Sequence, residues 1–440
     1  MPKTPFLDLI ESLPRAGGAL LIPSAGGVVA EEAADLDGRS RDLAAALSEY
    51  GLAPGDRAAI VSRDIGDVLL GFLAILRAGG VPVLLDPGLP PGDLLDALRS
   101  AEARQVLVED ERCLAVVLGL RPDLPSLDLA MLYRASPGVL AAAITVADAW
   151  AAGARFRSEE DGESEPPALA ERDAEPVALR FARSAGTLRS SSLTGAAVAT
   201  GARAFVDCLG LAPGETVAAA LPVWDPAVLV LALACLGRGA RISLLPSGGD
   251  PAEILGALRP EILLMESDRL KALRDRLLRA MRAEALVAGA LLRLALAEGR
   301  RRGAPDLAAG RLPSARPWRW RLADALVLGR VRAIAGGRMR ALVPLGPPSD
   351  PSVISFFLDA GFPLLEGASA PEACGLVAVN RPAAVRPGTA GKPVPGLTVR
   401  TRADGRLEVE GPMVSGPGWV ASELSGRLDA DGYLVLDPRS

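Results

Sequence analysis

The residue types best suited to chemistry lie between Phe362 and Gly396. A short apolar strand, expected at Phe362–Leu365, runs into Glu366-Gly367-Ala368-Ser369-Ala370-Pro371-Glu372. A strand that ends in small residues beside a carboxylate leaves backbone groups that a ligand can approach closely. Further on, Arg386-Pro387-Gly388-Thr389-Ala390-Gly391-Lys392-Pro393-Val394-Pro395-Gly396 is too rich in proline and glycine for a helix. The chain has no histidine. That excludes Ser-His and Cys-His nucleophile systems, His-ligated metals and an imidazole base. Cys113, Cys208, Cys235 and Cys374 are isolated among apolar residues and read as buried free thiols.

The elements that must position these residues alternate between strand and helix. Residues 31–50 carry apolar positions at helical spacing and end before Gly51. The turn GLAPGD at Gly51–Asp56 then leads to a strand at Ala58–Val61, a helix at Val68–Arg77 and a strand at Val81–Leu85. The same order recurs after GLAPGE at Gly210–Glu215, with a strand at Val217–Leu221, a helix at Ala227–Leu236 and a strand at Ile242–Leu245. Such units predict an α/β fold of two packed subdomains with largely parallel sheets. Beyond Pro395, short alternating runs at Thr398–Thr401, Arg406–Glu410 and Tyr433–Leu436 predict a small β-rich subdomain. The expected divisions are 1–154, an acidic Pro-containing linker at 155–175, a second α/β subdomain at 176–375, and 376–440.

With 440 residues, half of them hydrophobic, the chain is globular and large enough for several cores. A net charge of −5 gives no electrostatic reason to expect a nucleic-acid partner. No apolar run is long enough for a membrane span, and the N-terminus has no signal-peptide pattern, so a cytoplasmic protein is the expectation. The basic amphipathic run 269–303, ending in Arg300-Arg301-Arg302, reads as a solvated outer face or as a surface for anionic membrane. Arg far outnumbers Lys and Ala is abundant, a composition of GC-rich bacterial genes.

The stretch FPLLEGASAPE, then NRP, then RPGTAGKPVPG resembles the adenylate-forming (AMP-binding) synthetases, and within them the long-chain acyl-CoA ligases. GLAPGDRAAIV, FLAILRAGGVPVLLDPGLPP and GRLDADGYLVLD look like further segments in that family's order. The resemblance implies ATP and Mg²⁺ as cofactors, and an acid that is first adenylated and then passed to a thiol. It also implies roles for particular positions. Arg183, Ser184, Gly186, Thr187 and Arg189 fall on the phosphate loop, Trp224 and Asp225 beside the acyl pocket, and Glu372 on the Mg²⁺ carboxylate. Gly346, Pro347, Pro348, Glu366, Gly367, Ala368, Ser369, Glu423 and Arg439 fall on the adenine and ribose region.

Several of these positions depart from the family. A loop glycine is Arg183, which either disables triphosphate binding or supplies charge to a phosphate, and a loop threonine is Ala185. The acyl-side histidine is Asp225, the adenine-stacking tyrosine is Ala368, a phosphate-contacting threonine is Pro371, and the ribose-binding aspartate is Leu424. The sequence ends at VLDPRS, where the resemblance places the hinge to a mobile domain carrying the catalytic lysine. Together these departures imply a degenerate domain that binds an acyl chain, an acyl-adenylate or a partner protein (a carrier protein, a separate C-terminal domain or an active ligase). The alternative is an acyl-adenylating enzyme completed in trans by a C-terminal domain.

Overall fold

Two glycine-punctuated turns set the frame of the protein. In GLAPGD, the Ala53 amide donates to Asp56 Oδ2 (2.9 Å) and the Gly55 amide to the Gly79 carbonyl (2.9 Å). In GLAPGE, the Ala212 amide donates to Glu215 Oε2 (2.9 Å) and the Gly214 amide to the Gly239 carbonyl (2.7 Å). The sequence repeat is therefore a repeat of hydrogen bonds. Each turn launches a parallel strand-helix-strand unit: Arg57–Val61, Ile65–Arg77 and Val81–Leu85 in the first, Thr216–Ala220, Pro226–Gly237 and Arg241–Leu244 in the second.

The computed structural model describes residues 4–24, 27–136, 144–159, 176–184, 187–245, 251–283 and 289–438. A seven-stranded sheet orders Ile144–Thr145, Leu129–Leu132, Gln105–Val108, Arg57–Val61, Val81–Leu85, Pro176–Ser184 and Thr187–Thr194, all parallel except the last pair. A nine-stranded sheet is built around Ile262–Glu266, Thr216–Ala220 and Arg241–Leu244. A four-stranded antiparallel sheet runs from Thr398–Thr401 to Leu434–Leu436. The helices Ile65–Arg77 and Pro226–Gly237 are buried along almost their whole length. An apolar circumference with no polar stripe requires cover on every side. Residues of both large sheets share one core with these helices, so the two α/β units pack on each other.

Several expected boundaries move. Residues 155–159 belong to the helix Val146–Glu159, held to the helix Ala33–Glu49 by Arg157–Asp42 (3.2 Å), so no linker begins at 155. The N-terminal hairpin Ala19–Ser24 and Gly27–Glu32 adds to the nine-stranded sheet, whereas Pro176–Thr194 adds to the seven-stranded one. Gly375–Val379 and Lys392–Pro393 also belong to the nine-stranded sheet, and the β-rich part starts only at Thr398. The strand expected at Phe362–Leu365 is displaced to Gly367–Ala370. The Leu342 amide still donates to the Pro363 carbonyl (2.9 Å) and the Leu365 amide to the Leu342 carbonyl (2.8 Å), but proline offers no donor and the ladder cannot continue through it.

Candidate functional site

The last residue of the strand Ala341–Leu345 pairs in parallel with the first of the strand Gly367–Ala370, and the Gly346 amide donates to the Gly367 carbonyl at 3.0 Å. Gly346 and Gly367, together with Pro347, Pro348, Glu366 and the Gly388–Ala390 turn, line a narrow recess. Its free volume of about 10 Å³ is room for roughly one water molecule. Five of the residues expected at the adenine region (Gly346, Pro347, Pro348, Glu366 and Gly367) are thus brought together.

The turn opposite is held by a buried asparagine. Asn380 Nδ2 donates to the carbonyls of Glu366 (3.1 Å) and Thr389 (2.7 Å), and Asn380 Oδ1 accepts from the Arg386 amide (2.8 Å). The Gly388 amide donates to Glu366 Oε2 at 2.7 Å. Ser267 also lines the recess, buried, with its hydroxyl unpartnered among the described residues. Neither Asn380 nor Ser267 was expected from the sequence. Asn380 sits in the quoted NRP run, whereas Ser267 has no motif around it.

Glu366 is only 8% exposed, and burial pushes its carboxyl up to about 7, the Gly388 amide opposing. The folded state therefore keeps a proton that the unfolded chain, with an ordinary value of 4.5, has released. This contribution to stability is whole below about pH 4.5 and is lost as pH rises through about 7. Glu366→Gln keeps an acceptor for Gly388 and should flatten the fall in denaturation midpoint between pH 5 and 8, by on the order of 2 kcal/mol. Parallel pH profiles for the two proteins would refute this.

Other expected residues lie elsewhere. Ala368 is fully buried in the main core, and Ser369 follows an irregularity in the pairing with Gly375–Val379; neither lines the recess. Asp225 caps the helix Pro226–Gly237, its Oδ1 accepting from the Ala227 amide at 2.8 Å. Its carboxylate thus has a structural role as a helix cap. Burial raises the Asp225 pKa, with Arg180 opposing. Trp224 is half-buried against the main core.

Glu372 sits in the turn Pro371–Ala373, where burial pushes its carboxyl up to about 7, helped by Glu423 and Asp225 and opposed by Arg180. Its Oε2 is buried without a partner, as is Nε of Arg180. Arg180 thus faces two carboxylates from distant parts of the chain, Asp225 and Glu372, a grouping that sequence spacing does not reveal. Among the described residues no three acidic or thiol side chains are placed to hold a metal ion together.

The expected phosphate loop is a hairpin ladder. Pro176–Ser184 and Thr187–Thr194 pair antiparallel, with Ala182 opposite Arg189, Arg183 opposite Leu188 and Ser184 opposite Thr187. Arg189 is exposed on this ladder. Gly186 and Arg439 lie outside the described residues. In the ribose region Glu423 is exposed, and Leu424 packs on the main core instead of offering an acceptor.

Comparison with known proteins agrees with this architecture. The AMP-binding enzyme family is matched over residues 33–181. The long-chain-fatty-acid–CoA ligase FadD15 of Mycobacterium tuberculosis is 35% identical over 130 residues, 26% of this chain and 22% of that protein. The chain thus spans about a fifth of the length of that relative. The N-terminal domain of FACL13 from Mycobacterium tuberculosis superposes over 100% of both chains with a TM-score of 0.69 at 15% identity. ATP-bound MatB from Rhodopseudomonas palustris gives 0.69 at 19% identity, over 98% of this chain and 78% of that one. Residues 33–181 thus carry the similarity to the AMP-binding enzyme family, and the fold of the chain is that of acyl-CoA synthetase N-terminal domains.

Proposed function

We propose that this protein is an acyl-CoA ligase-like domain that does not grip a nucleotide triphosphate, and that it binds an acyl chain or a partner protein instead of completing acyl-CoA synthesis. The observation that supports this reading is the ladder Pro176–Thr194. A phosphate cradle needs several backbone N–H groups free to converge on an anion. Here the two strands pair as far as Ser184 and Thr187, so alternate N–H groups are directed across the ladder. The Mg²⁺ position is equally thin, since Glu372 has a raised pKa and Asp225 near it shares the same Arg180. These residues do not fit a Mg²⁺-nucleotide, and no adenylation step is derived through one.

The test is thermal melting with millimolar MgATP and, separately, with a stable acyl-adenylate mimic. A ligand at a hundred times its Kd stabilises the folded state by about 2.7 kcal/mol. No shift with MgATP is expected, and a clear shift accompanied by pyrophosphate release would overturn the proposal. A second reading, an ATP-dependent acyl-adenylating enzyme, is favoured by one observation. The buried, unpartnered Ser267 hydroxyl lines the recess with Gly346 and Glu366, and a polar atom of a ligand entering there would satisfy it. Stabilisation by AMP alone, lost in Ser267→Ala, would point that way.

A further inference from the structure

A helical segment runs through Trp318–Ala323, a π-helical turn at Asp324–Leu328, and Gly329–Ile334. It is apolar on two sides. Inward, Trp320, Val327, Leu328 and Val331 are buried in the core beneath the nine-stranded sheet. This side is anchored by Arg302, stacked over Trp320 at 4.2 Å, and by Arg332, which pairs with Asp324 and donates to the Ala360 carbonyl (2.8 Å). Outward, Trp318, Leu322 and Leu326 recur every fourth residue and are all exposed, Trp318 by 69%. The neighbouring helix Gly289–Ala308 packs alongside and exposes Leu291 and Leu294, the latter by 68%. The core explains the inner side only. Five large apolar side chains on two adjoining helices exceed the scattered exposure ordinary for a protein surface.

The charge around them selects the partner. Between residues 289 and 334 there are ten arginines, no lysine and three acidic residues, in a chain whose net charge is −5. Glu298, Asp306 and Asp324 are each paired with an arginine of the same region. Arg316, Arg319, Arg321 and Arg330 are exposed and have no acidic partner among the described residues, Arg319 lying over the Trp318 ring at 5.4 Å. A tryptophan-leucine stripe rimmed by unpaired guanidinium groups matches an anionic bilayer surface, where the rings enter the acyl boundary and the arginines meet lipid phosphates. The geometry points to a peripheral membrane-docking face formed by Trp318, Leu322 and Leu326, with Leu291 and Leu294 exposed on the adjoining helix. A second copy of this chain is a poorer fit, because it would set one arginine rim against another.

The test is co-sedimentation with vesicles of phosphatidylcholine alone and with 30% phosphatidylglycerol, at about 0.1 M and 0.5 M salt. Binding is expected only to the anionic vesicles and should weaken at the higher salt. Trp318→Ser with Leu322→Ser should lower the partition coefficient at least tenfold, with the melting temperature unchanged. Arg319→Glu with Arg321→Glu leaves the apolar stripe intact and should lower it by a similar factor. Equal binding to both vesicle types, or insensitivity to both pairs of substitutions, would overturn the assignment. So would sedimentation showing a dimer without vesicles that the Trp318 and Leu322 substitutions dissociate.

Discussion

Gly391→Ala is expected to destabilise the protein by about 4 kcal/mol, combining left-handed backbone strain with a main-chain clash. Gly391 has φ +80°, and a Cβ there would stand 2.1 Å from both the Asn380 amide nitrogen and the Val379 carbonyl carbon. Those atoms are backbone and cannot swing aside. Gly388 provides the control, having φ +83° with nothing within 4 Å of its would-be Cβ. Gly388→Ala should therefore lose only the conformational part, roughly 1–2 kcal/mol. The difference between the two denaturation midpoints reports the close approach. Equal losses would mean that the turn is not pressed against Asn380.

The loss would also reach the recess. The Gly391 carbonyl accepts from the Leu434 amide (2.7 Å) and the Ala390 amide donates to the Leu434 carbonyl (2.8 Å). This short bridge fixes the four-stranded sheet against the nine-stranded one beside Glu366. Any ligand stabilisation that depends on the recess should disappear in Gly391→Ala and persist in Gly388→Ala at permissive temperature.

How much of this was legible in the sequence depends on how far apart in the chain the partners lie. The strand-helix-strand units were readable to within a few residues because apolar runs and Gly-Gly or Pro-Gly punctuation act locally. Val81–Leu85 was read with the boundaries found, and the second-unit helix only one residue short at each end. Gly346 and Gly367 meet because one follows and the other opens neighbouring parallel strands. The hairpin at Pro176–Thr194 was not legible. Its second strand, Thr187–Thr194, is dominated by polar residues and reads as a loop, yet Leu179 and Phe181 dock its partner against Val83 and Leu85. Sheet membership of Ala19–Ser24 was hidden for the same reason, since its parallel partner Arg241–Leu244 is some two hundred residues away. The capping role of Asp225 was not read, because a helix N-cap and a ligand-facing carboxylate use the same residue type and only the Pro226 that follows hints at the cap.

The second large effect comes from a buried ion pair that no local pattern announces. Arg77 is 3% exposed and Asp37 6%, and Arg77 Nη2 donates to Asp37 Oδ1. Arg77 Nε also donates to Ser40 Oγ at 3.1 Å, and Arg41 Nε donates to Asp37 Oδ2 at 3.0 Å. The pair ties the helix Ala33–Glu49, which follows the N-terminal hairpin of the nine-stranded sheet, to the helix Ile65–Arg77 of the seven-stranded one. It is thus a polar fastening within an otherwise apolar junction. Arg77→Met leaves the Asp37 carboxylate buried with one remaining guanidinium and should cost about 3–5 kcal/mol, the range for breaking such a pair from one side. Asp37→Leu should cost a comparable amount by stranding Arg77. The double variant removes both charges and should be less destabilised than the sum by at least 2 kcal/mol, because desolvation is relieved together with attraction. Additive losses would place the two side chains in independent surroundings. Recovery of stability without recovery of a single sharp unfolding transition would carry a different meaning: the pair would then set the angle between the two sheets rather than their strength of association.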